Sequence, residues 1–321
     1  MSESVLRVEG LSRFFRVGGF RSRGILHATD DVSFVVGAGE IVALVGESGS
    51  GKSTIARVLA GLYPPTAGSI TFEGQPVGRR SSRRVRGRMP MVFQDPFGSI
   101  NPVLRVGHSL ERSLKLHRSD LGKAARHEEA IALVERVGLT PGAEVLRRFP
   151  HELSGGQRQR LGFAQALASR PSLILADEPV SMLDVSIRIG LLNVMKDLRD
   201  REGVSLLYIT HDLASARYVA DRMIVLYAGR IVEEGLTEEV ISSPQHTYTR
   251  LLMSTAPDPR LPLSDDASVT DLGEPPKVIN PGPGCRFAPR CPLAMDTCRA
   301  STPAAVEISA TQRVACYAVT P

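Results

Sequence analysis

The chain has 321 residues, enough for a full α/β domain with one or two smaller lobes. Its hydrophobic content of 42% and charged content of 23% are ordinary for a globular protein, and the net charge of +5 is modest. No apolar run approaches the ~18 residues of a membrane-spanning helix. Residues 1–10 lack the basic-then-apolar pattern of a signal peptide, so we expect a cytoplasmic chain.

The N-terminal region predicts a pair of antiparallel strands. Val5–Glu9 and Val32–Val36 show the alternation of half-buried strands, and Arg16–Gly24 between them is expected to be a flexible loop. Phe14 and Phe15 precede that loop, and adjacent side chains of a strand point to opposite faces. We therefore expect one ring to be available for stacking on a ligand and the other to belong to the core.

A glycine-rich loop follows the first unbroken apolar run of the chain. Ile41–Val45 suits a strand buried on both faces of a parallel sheet, and the glycines that follow allow N–H groups to turn towards an anion. Lys52 adds a positive charge, and Ser53 offers a hydroxyl to Mg²⁺. A helix is expected to begin here, with its positive end aimed at phosphates. The spacing is that of a nucleotide phosphate-binding loop.

Short apolar runs and amphipathic segments alternate along the chain, which predicts a mainly parallel sheet with right-handed crossovers. The predicted strands are Ser69–Phe72, Met89–Gln94, Leu173–Ala176, Ser205–Thr210, Met223–Tyr227 and Arg230–Glu233. The predicted helices are Gln157–Ser169, Ile187–Arg201 and Leu213–Ala220. The arginine-rich run 79–88 has no interleaved aromatic residues, so we expect a solvated loop there.

Two regions depart from this alternation. Residues 96–153 show only helical spacing, at Ser109–Leu116 and Lys123–Val137, and predict a helical subdomain inserted between core segments 1–95 and 154–243. Beyond Pro244 the chain is rich in proline and contains all four cysteines. We expect residues 244–321 to be a separate, mostly irregular extension.

Polar side chains follow several of the predicted strands. Gln94 ends one strand, Asp177 and Glu178 follow another, and His211 follows a third. Ligands of open parallel sheets bind beyond the carboxyl ends of the strands, so these residues should meet at one rim. Asp177 would hold Mg²⁺ beside the loop serine, and Glu178 would accept a proton from the attacking water. His211 would sense the γ-phosphate, and Gln94 would bond the metal shell and the water.

A second anion site is predicted at the helix start Ser154–Gln157. Ser154 and Gln157 form a capping box, so an ordinary well-capped helix is one interpretation. Gly155 and Gly156, however, each weaken the first turn by ~1 kcal/mol relative to alanine, whereas bare N–H groups at a helix start bind anions. A second anion site far along the chain suggests that it serves the nucleotide of another subunit.

In order and spacing, these motifs resemble the motif set of ABC-type ATPases over about Val5–Gly235. The motifs are GESGSGKST, Gln94, LSGGQ, LILADEP, Ser181–Asp184 and His211. The resemblance implies an α/β fold in which residues 1–243 form an ABC ATPase domain. That domain would combine a RecA-like P-loop core and mainly parallel sheet with an antiparallel N-terminal β subdomain and the inserted helices.

The resemblance also implies roles for individual residues. Asp177 would be the Walker B aspartate and Glu178 the catalytic glutamate, with Lys52, Gln94 and His211 completing the catalytic set. ATP would bind with Mg²⁺ at the Walker A loop, which consists of Gly46, Glu47, Ser48, Gly49, Ser50, Gly51, Lys52, Ser53 and Thr54.

Three further segments receive roles from the resemblance. Phe15 resembles the adenine-stacking aromatic by position, with Phe14 as the alternative. Ser154–Gln157 would contact the γ-phosphate bound to the opposing subunit. Asp184 would lie in the loop that links the two sites, in which Met182 replaces the usual alanine.

The C-terminal segment Pro244–Leu252 and the cysteine spacing after it are similar to those of oligopeptide/dipeptide permease subunits, although Thr247 stands where proline is usual. Cysteines of a cytoplasmic chain favour a metal over disulfides, and the missing Cys-x-x-Cys pair disfavours a zinc ribbon. A [4Fe–4S] cluster fits better, and the resemblance implies it; zinc, free thiols and disulfides stay open. The ligands would be Cys285, Cys291, Cys298 and Cys316.

The sequence thus predicts an ATP-hydrolysing subunit of an ABC importer for di- or oligopeptides, peripheral on the cytoplasmic face of the membrane. The resemblance implies a head-to-tail partner ATPase, which can be a related chain, two transmembrane permease subunits and an extracytoplasmic substrate-binding protein. No nucleic-acid partner is expected. The alternatives are a soluble ABC ATPase acting on DNA or ribosomes and a redox-responsive regulator. The cargo stays open among peptides, nickel chelates and other small solutes.

Overall fold

The computed structural model describes residues 4–18, 24–78, 85, 87–95, 100–255 and 278–319. Within the described residues the chain forms two β-sheets, a group of inserted helices and a C-terminal extension. The solvated loop predicted at 79–88 lies outside them, apart from residues 85, 87 and 88. Residues 256–277, where the proline-rich stretch begins, also lie outside them.

The described residues contain twelve strands and ten α-helices with defined bounds. The strands are β1 (Ser4–Val17), β2 (Gly24–Gly37), β3 (Ile41–Val45), β4 (Ala67–Phe72), β5 (Gln75–Pro76), β6 (Met91–Val92), β7 (Leu173–Asp177), β8 (Ser205–Thr210), β9 (Arg222–Tyr227), β10 (Arg230–Leu236), β11 (Val306–Glu307) and β12 (Arg313–Val314). The helices are α1 (Lys52–Leu59), α2 (Val106–His117), α3 (Lys123–Arg136), α4 (Gly142–Arg147), α5 (Gly155–Leu167), α6 (Val185–Glu202), α7 (Leu213–Val219), α8 (Thr237–Ser242), α9 (Thr247–Thr255) and α10 (Asp296–Ala300).

The larger sheet is parallel through its centre and antiparallel at one edge. Its spatial order is β11-β12-β10-β9-β3-β8-β7-β6. The five strands from β9 to β6 run parallel, whereas β10, β12 and β11 pair antiparallel. The mainly parallel sheet predicted from the sequence is therefore confirmed.

The central strand β3 is buried on both faces, as its unbroken apolar sequence predicts. Ile41, Ala43 and Val45 belong to one hydrophobic core, which also contains the inserted helices. Val42 and Leu44 belong to a second core, which contains α1 and the smaller sheet. The strand therefore joins the two halves of the domain, and the loop after it is the point where the chain leaves the sheet.

The smaller sheet is antiparallel, with the order β2-β1-β4-β5. The flexible loop expected at Arg16–Gly24 is wrong at both ends, because Arg16 pairs with Ile25 and Val17 pairs with Gly24. In these paired residues the backbone N–H and C=O groups bond across the two strands, whereas the polar sequence had suggested that they would bond to water. Residues 19–23 lie outside the described part of the chain.

The inserted subdomain is helical, as predicted. Helices α2, α3 and α4 lie between β6 and β7 in the chain. Leu110 and Leu114 of α2 and Leu133 and Val134 of α3 are fully buried, in the same core as α5. The insertion is thus packed onto α5, the helix that Ser154 caps.

The C-terminal extension is not separate from the core, so that expectation is wrong. Strand β12 pairs with β10, with Glu233 opposite Val314, and extends the larger sheet. The Phe287 ring lies 5.1 Å from the Tyr227 ring, centroid to centroid, and only 1% of Phe287 is exposed. The edge strand β10 thereby gains a partner, and the large aromatic side chain of Phe287 is buried. The high proline content of the extension gave no indication of either contact.

We expect Phe287→Ala to destabilise the whole protein by about 3–5 kcal/mol, because it removes a buried aromatic ring from the shared core. Denaturant unfolding followed by far-UV circular dichroism measures this. Leu293→Ala, at an extension residue that is 51% exposed, is the control and should change stability by less than about 0.5 kcal/mol. An unchanged main transition in the Phe287 variant would mean that the extension folds independently.

Candidate nucleotide site

The loop between β3 and α1 requires glycine at two of its positions. Gly46 has φ 151° and Gly51 has φ 105°, conformations that residues with side chains rarely adopt. A Cβ at Gly46 would lie 2.1 Å from the Leu226 carbonyl oxygen, and one at Gly51 would lie 2.2 Å from that of Ala28. Both glycines are therefore required by the surrounding backbone as well as by the loop.

The Lys52 side chain folds back over this loop. Its Nζ donates hydrogen bonds to the carbonyl oxygens of Gly46 at 2.6 Å and Glu47 at 2.9 Å, and the residue is only 4% exposed. Burial lowers the pKa of the Lys52 ammonium, although the carboxylates of Glu178 and Asp177 act in the opposite direction. A buried cation at a loop rich in N–H groups favours an incoming anion such as a phosphate.

Ser53 and Asp177 meet beside the lysine. The Ser53 hydroxyl donates to Asp177 Oδ1 at 2.8 Å, which brings the start of α1 and the end of β7 together. Burial raises the pKa of the Asp177 carboxyl, and the hydrogen bond from Ser53 opposes that shift. Mg²⁺ in phosphate sites takes one or two protein oxygens plus phosphate oxygens. The hydroxyl and the carboxylate fit that donor set, and a cation there would favour the ionised carboxylate.

Glu178 lies at the centre of a second group of contacts. Its backbone is in the left-handed region, with φ 46°, and its N–H donates to the Ile209 carbonyl at 2.9 Å. Glu178 Oε2 accepts from Gln94 Nε2 at 3.2 Å and lies 3.2 Å from His211 Nδ1. Such strained conformations are often found at functional sites. The structure therefore brings the polar groups at the ends of β6, β7 and β8 to one carboxylate, as predicted.

Sequence reasoning missed Gln159, which connects this group to α5. Gln159 is buried, and its Nε2 donates to the carbonyl oxygen of Gln94 at 2.7 Å. The backbone of Gln94 is thus attached to α5, at a residue that lies just after the first turn of that helix. The only sequence signal was a glutamine on an otherwise apolar helix face.

Ser154–Gln157 form the predicted capping box at the start of α5. The Gln157 N–H donates to Ser154 Oγ at 3.3 Å, and the Ser154 N–H donates to Gln157 Oε1 at 3.0 Å. A Cβ at Gly156 would lie 2.2 Å from Ile187 Cγ2, so packing against α6 also demands this glycine. Among the described residues, the hydrogen bonds of this segment stay within its own helix start, and none reaches the phosphate loop.

The remaining predicted nucleotide contacts are Phe15, its alternative Phe14, and Asp184. Phe15 makes an edge contact with Tyr63, whereas Phe14 packs on His27 at 4.0 Å between ring centroids. Neither phenylalanine is fully buried, so the expectation that one of them belongs to the core is wrong. Asp184 precedes α6 and is exposed.

The four cysteines come from separate turns of the extension, yet all of them line one small cavity of about 20 Å³. Cys285 is bonded to the Cys298 segment through the Cys285 N–H and the Cys298 carbonyl, at 2.7 Å. Burial raises the pKa of the thiols of Cys285 and Cys316. Four thiols around one cavity fit the donor set of a cluster. In the part of the chain that the structure describes, however, no three or more His, Cys, Asp or Glu side chains are arranged to hold a metal ion.

The extension also reaches the phosphate loop, which the sequence did not indicate. Glu47 accepts two hydrogen bonds from the Arg290 guanidinium, at 2.9 and 3.1 Å, across 243 positions of the chain. The Glu47 N–H donates to the Tyr248 hydroxyl at 2.9 Å. In the sequence, neither Arg290 nor Tyr248 lies close to any of the nucleotide-binding motifs.

No helix of the described residues is both long enough and apolar enough to cross a bilayer.

Comparisons with known proteins agree with the geometry. The profile described as ABC transporter matches residues 29–181, and the profile described as oligopeptide/dipeptide transporter, C-terminal region, matches residues 232–298. A Sinorhizobium fredii protein described as "Probable peptide ABC transporter ATP-binding protein y4tS" is 43% identical over 327 residues. That alignment covers 100% of this chain and 92% of the relative.

Solved structures share the fold. The ATP-binding cassette MJ0796, described in a dimeric post-hydrolysis state bound to ADP and Pi, is 27% identical with a TM-score of 0.64, over 72% of this chain and 98% of that one. The chain cbiO1 of Clostridium perfringens is 23% identical with a TM-score of 0.65, over 75% of this chain and 92% of that one, and supports the fold alone. The chain therefore belongs to the ABC transporter family of ATP-binding proteins, in the group that carries the oligopeptide/dipeptide transporter C-terminal region.

Proposed function

We propose that this protein hydrolyses ATP to drive the import of peptides, as one ATPase subunit of a membrane transporter. The observation that carries the ATPase site is the convergence of Gln94 and His211 on Glu178, beside the pair formed by Ser53 and Asp177. These groups stand at the ends of β6, β7 and β8 and at the start of α1, around one rim of the sheet.

The groups of the rim divide the work of phosphoryl transfer. Lys52 and the loop N–H groups would bind the β- and γ-phosphates, and Ser53 and Asp177 would hold Mg²⁺, which neutralises phosphate charge. Glu178 would orient the attacking water and take its proton. Gln94 and His211 both contact Oε2 of the Glu178 carboxylate, so the carboxylate is oriented before substrate arrives.

The site would be completed by a second ATPase subunit. The capping box engages the N–H groups of Ser154 and Gln157, which leaves those of Gly155 and Gly156 at the helix start for an anion from outside this chain's own phosphate loop. Beside Asp184, the side chains of Met182 and Val185 are exposed, Met182 at 69%. Exposed apolar side chains next to an unused anion site support a head-to-tail pairing, and the related cassette MJ0796 is described as dimeric.

The helical insertion would carry the signal to the transmembrane subunits. Phe93, Leu104 and Leu116 are exposed on or next to it, and Val103 is 74% exposed. Gln159 attaches the Gln94 backbone to α5, on which the insertion packs. A shift of Gln94 with the state of the nucleotide would therefore move an apolar surface that fits a permease subunit.

Peptide import, with a location on the cytoplasmic face of the membrane, rests on the relatives. The C-terminal profile is described as oligopeptide/dipeptide transporter, C-terminal region, and the Sinorhizobium fredii relative, described as "Probable peptide ABC transporter ATP-binding protein y4tS", aligns with 100% of this chain. Such a subunit would work with two permease subunits and an extracytoplasmic binding protein that delivers the peptide.

The cysteine cavity is proposed to hold a [4Fe–4S] cluster, with all four thiols as ligands. The cluster would cross-link four turns of a segment that has few regular elements of its own. The proposed role of the cluster is structural: it would stabilise an extension that packs against the ATPase core.

The variant Glu178→Gln should bind ATP as the parent does and lose at least about 100-fold in hydrolysis, because an amide cannot take the proton of the attacking water. A coupled ATPase assay measures turnover, and size-exclusion chromatography with ATP should show an accumulated dimer. Glu144→Gln, an exposed carboxylate of α4, is the control and should hydrolyse ATP normally. Hydrolysis at the parent rate in the Glu178 variant would show that another group is the base.

Purification of the protein from gently solubilised membranes tests the transporter assignment. We expect two transmembrane chains and a second ATPase chain to be recovered together and identified by mass spectrometry. Recovery with ribosomes or DNA, and without membrane subunits, would contradict the assignment and favour a soluble ATPase.

Anaerobic purification tests the cluster. We expect about four iron and four sulfide ions per chain, and a loss of both in Cys285→Ser together with a lower unfolding temperature. A stoichiometric zinc content, or a parent chain that is fully stable without metal, would contradict the prediction. Normal stability combined with a loss of redox sensitivity of transport would favour a regulatory role instead.

A further inference from the structure

Glu47, the second residue of the phosphate loop, is held by groups from outside the ATPase motifs. Arg290 donates two parallel hydrogen bonds to its carboxylate, and the Tyr248 hydroxyl accepts its N–H. The Glu47 carbonyl accepts from Lys52. The carboxylate, the N–H and the carbonyl of this one residue are therefore all engaged at once.

The two outside partners are themselves rigidly placed. Tyr248 is fully buried, and its ring lies 4.5 Å from that of Tyr227, centroid to centroid. The Arg290 guanidinium also donates to the Tyr227 hydroxyl at 3.3 Å and lies 6.0 Å from the centre of the Phe287 ring. A bidentate arginine–carboxylate pair with little exposure is a strong and directional contact.

The direction of the Glu47 N–H matters for the loop. This N–H points at Tyr248, so it is not one of the N–H groups available to an anion. The contacts of Glu47 order the start of the loop before any ligand is present. Less backbone conformational entropy is therefore lost when the N–H groups that follow bind an anion. Preorganisation of this kind increases affinity without adding any contact to the ligand.

We propose that Arg290 and Tyr248 are positioning residues of the phosphate loop, so that the C-terminal extension sets the nucleotide affinity of the ATPase core. Arg290 acts through Glu47 and does not itself touch the nucleotide. The proposal rests on the proposed role of the loop in binding phosphate, and it does not depend on which solute is transported.

The test measures the binding of a fluorescent ATP analogue to the full-length chain, with EDTA present to prevent hydrolysis. We expect Arg290→Gln to raise Kd by about fivefold to thirtyfold, the range that follows from losing the ordering of one backbone residue. Tyr248→Phe keeps the ring and removes the acceptor, and it should shift Kd in the same direction. In steady-state ATP hydrolysis KM should rise with Kd, while kcat changes by less than about twofold.

A double-mutant cycle separates positioning from general damage. Glu47→Gln should raise Kd as Arg290→Gln does, and the double variant should be no worse than either single one, because both remove the same pair. Arg299→Gln changes an exposed arginine of the same extension and should leave Kd unchanged. Lys52→Ala should abolish most binding and shows that the loop is the site being measured.

The outcomes distinguish this inference from the function on which it rests. An unchanged Kd in Arg290→Gln, with binding lost in Lys52→Ala, overturns the positioning role alone. Full binding in Lys52→Ala would instead remove the phosphate loop as the nucleotide site. Additive effects of the Glu47 and Arg290 variants, or equal loss in Arg299→Gln, would mean that the extension matters only for stability.

Discussion

The burial of β3 on both faces is the constraint on which the rest of the structure depends. Because its side chains alternate between two cores, the strand cannot slide or turn without exposing one of them. The loop after it must therefore leave the sheet at one place and in one direction. Neighbouring parallel strands then end at the same rim. The polar residues that follow them therefore lie close to the loop simply because the strands are parallel.

The rim places charges where water cannot easily solvate them. Lys52 and Asp177 both lose solvation on burial, and each has its pKa moved towards the neutral form. Such an arrangement is unfavourable by itself and becomes favourable when a phosphate and a divalent cation supply the opposite charges. The Glu178 carboxylate, in contrast, is held by its contacts with Gln94 and His211, both at Oε2. The buried Lys52 and Asp177 thus suit the binding of phosphate and cation, whereas the neighbouring Glu178 suits the chemical step.

The extension is part of this same arrangement. It adds a strand to the edge of the larger sheet and inserts Phe287 among the aromatic rings of the core. Arg290, beside Cys291, then contacts Glu47 in the phosphate loop. Cys291 is therefore adjacent in the chain to a residue that contacts the phosphate loop directly.

Much of the fold and site was determined by local patterns in the sequence. Apolar runs predicted the parallel strands, the glycine spacing predicted the loop, and the shared direction of parallel strands predicted that Gln94, Asp177, Glu178 and His211 would meet. These inferences succeeded because each depends on neighbouring residues or on one topological rule. The contacts of Gln159 with Gln94 and of Arg290 with Glu47 were decided only by the tertiary structure. They join side chains from distant segments, and pairing at that distance depends on packing that no local pattern records.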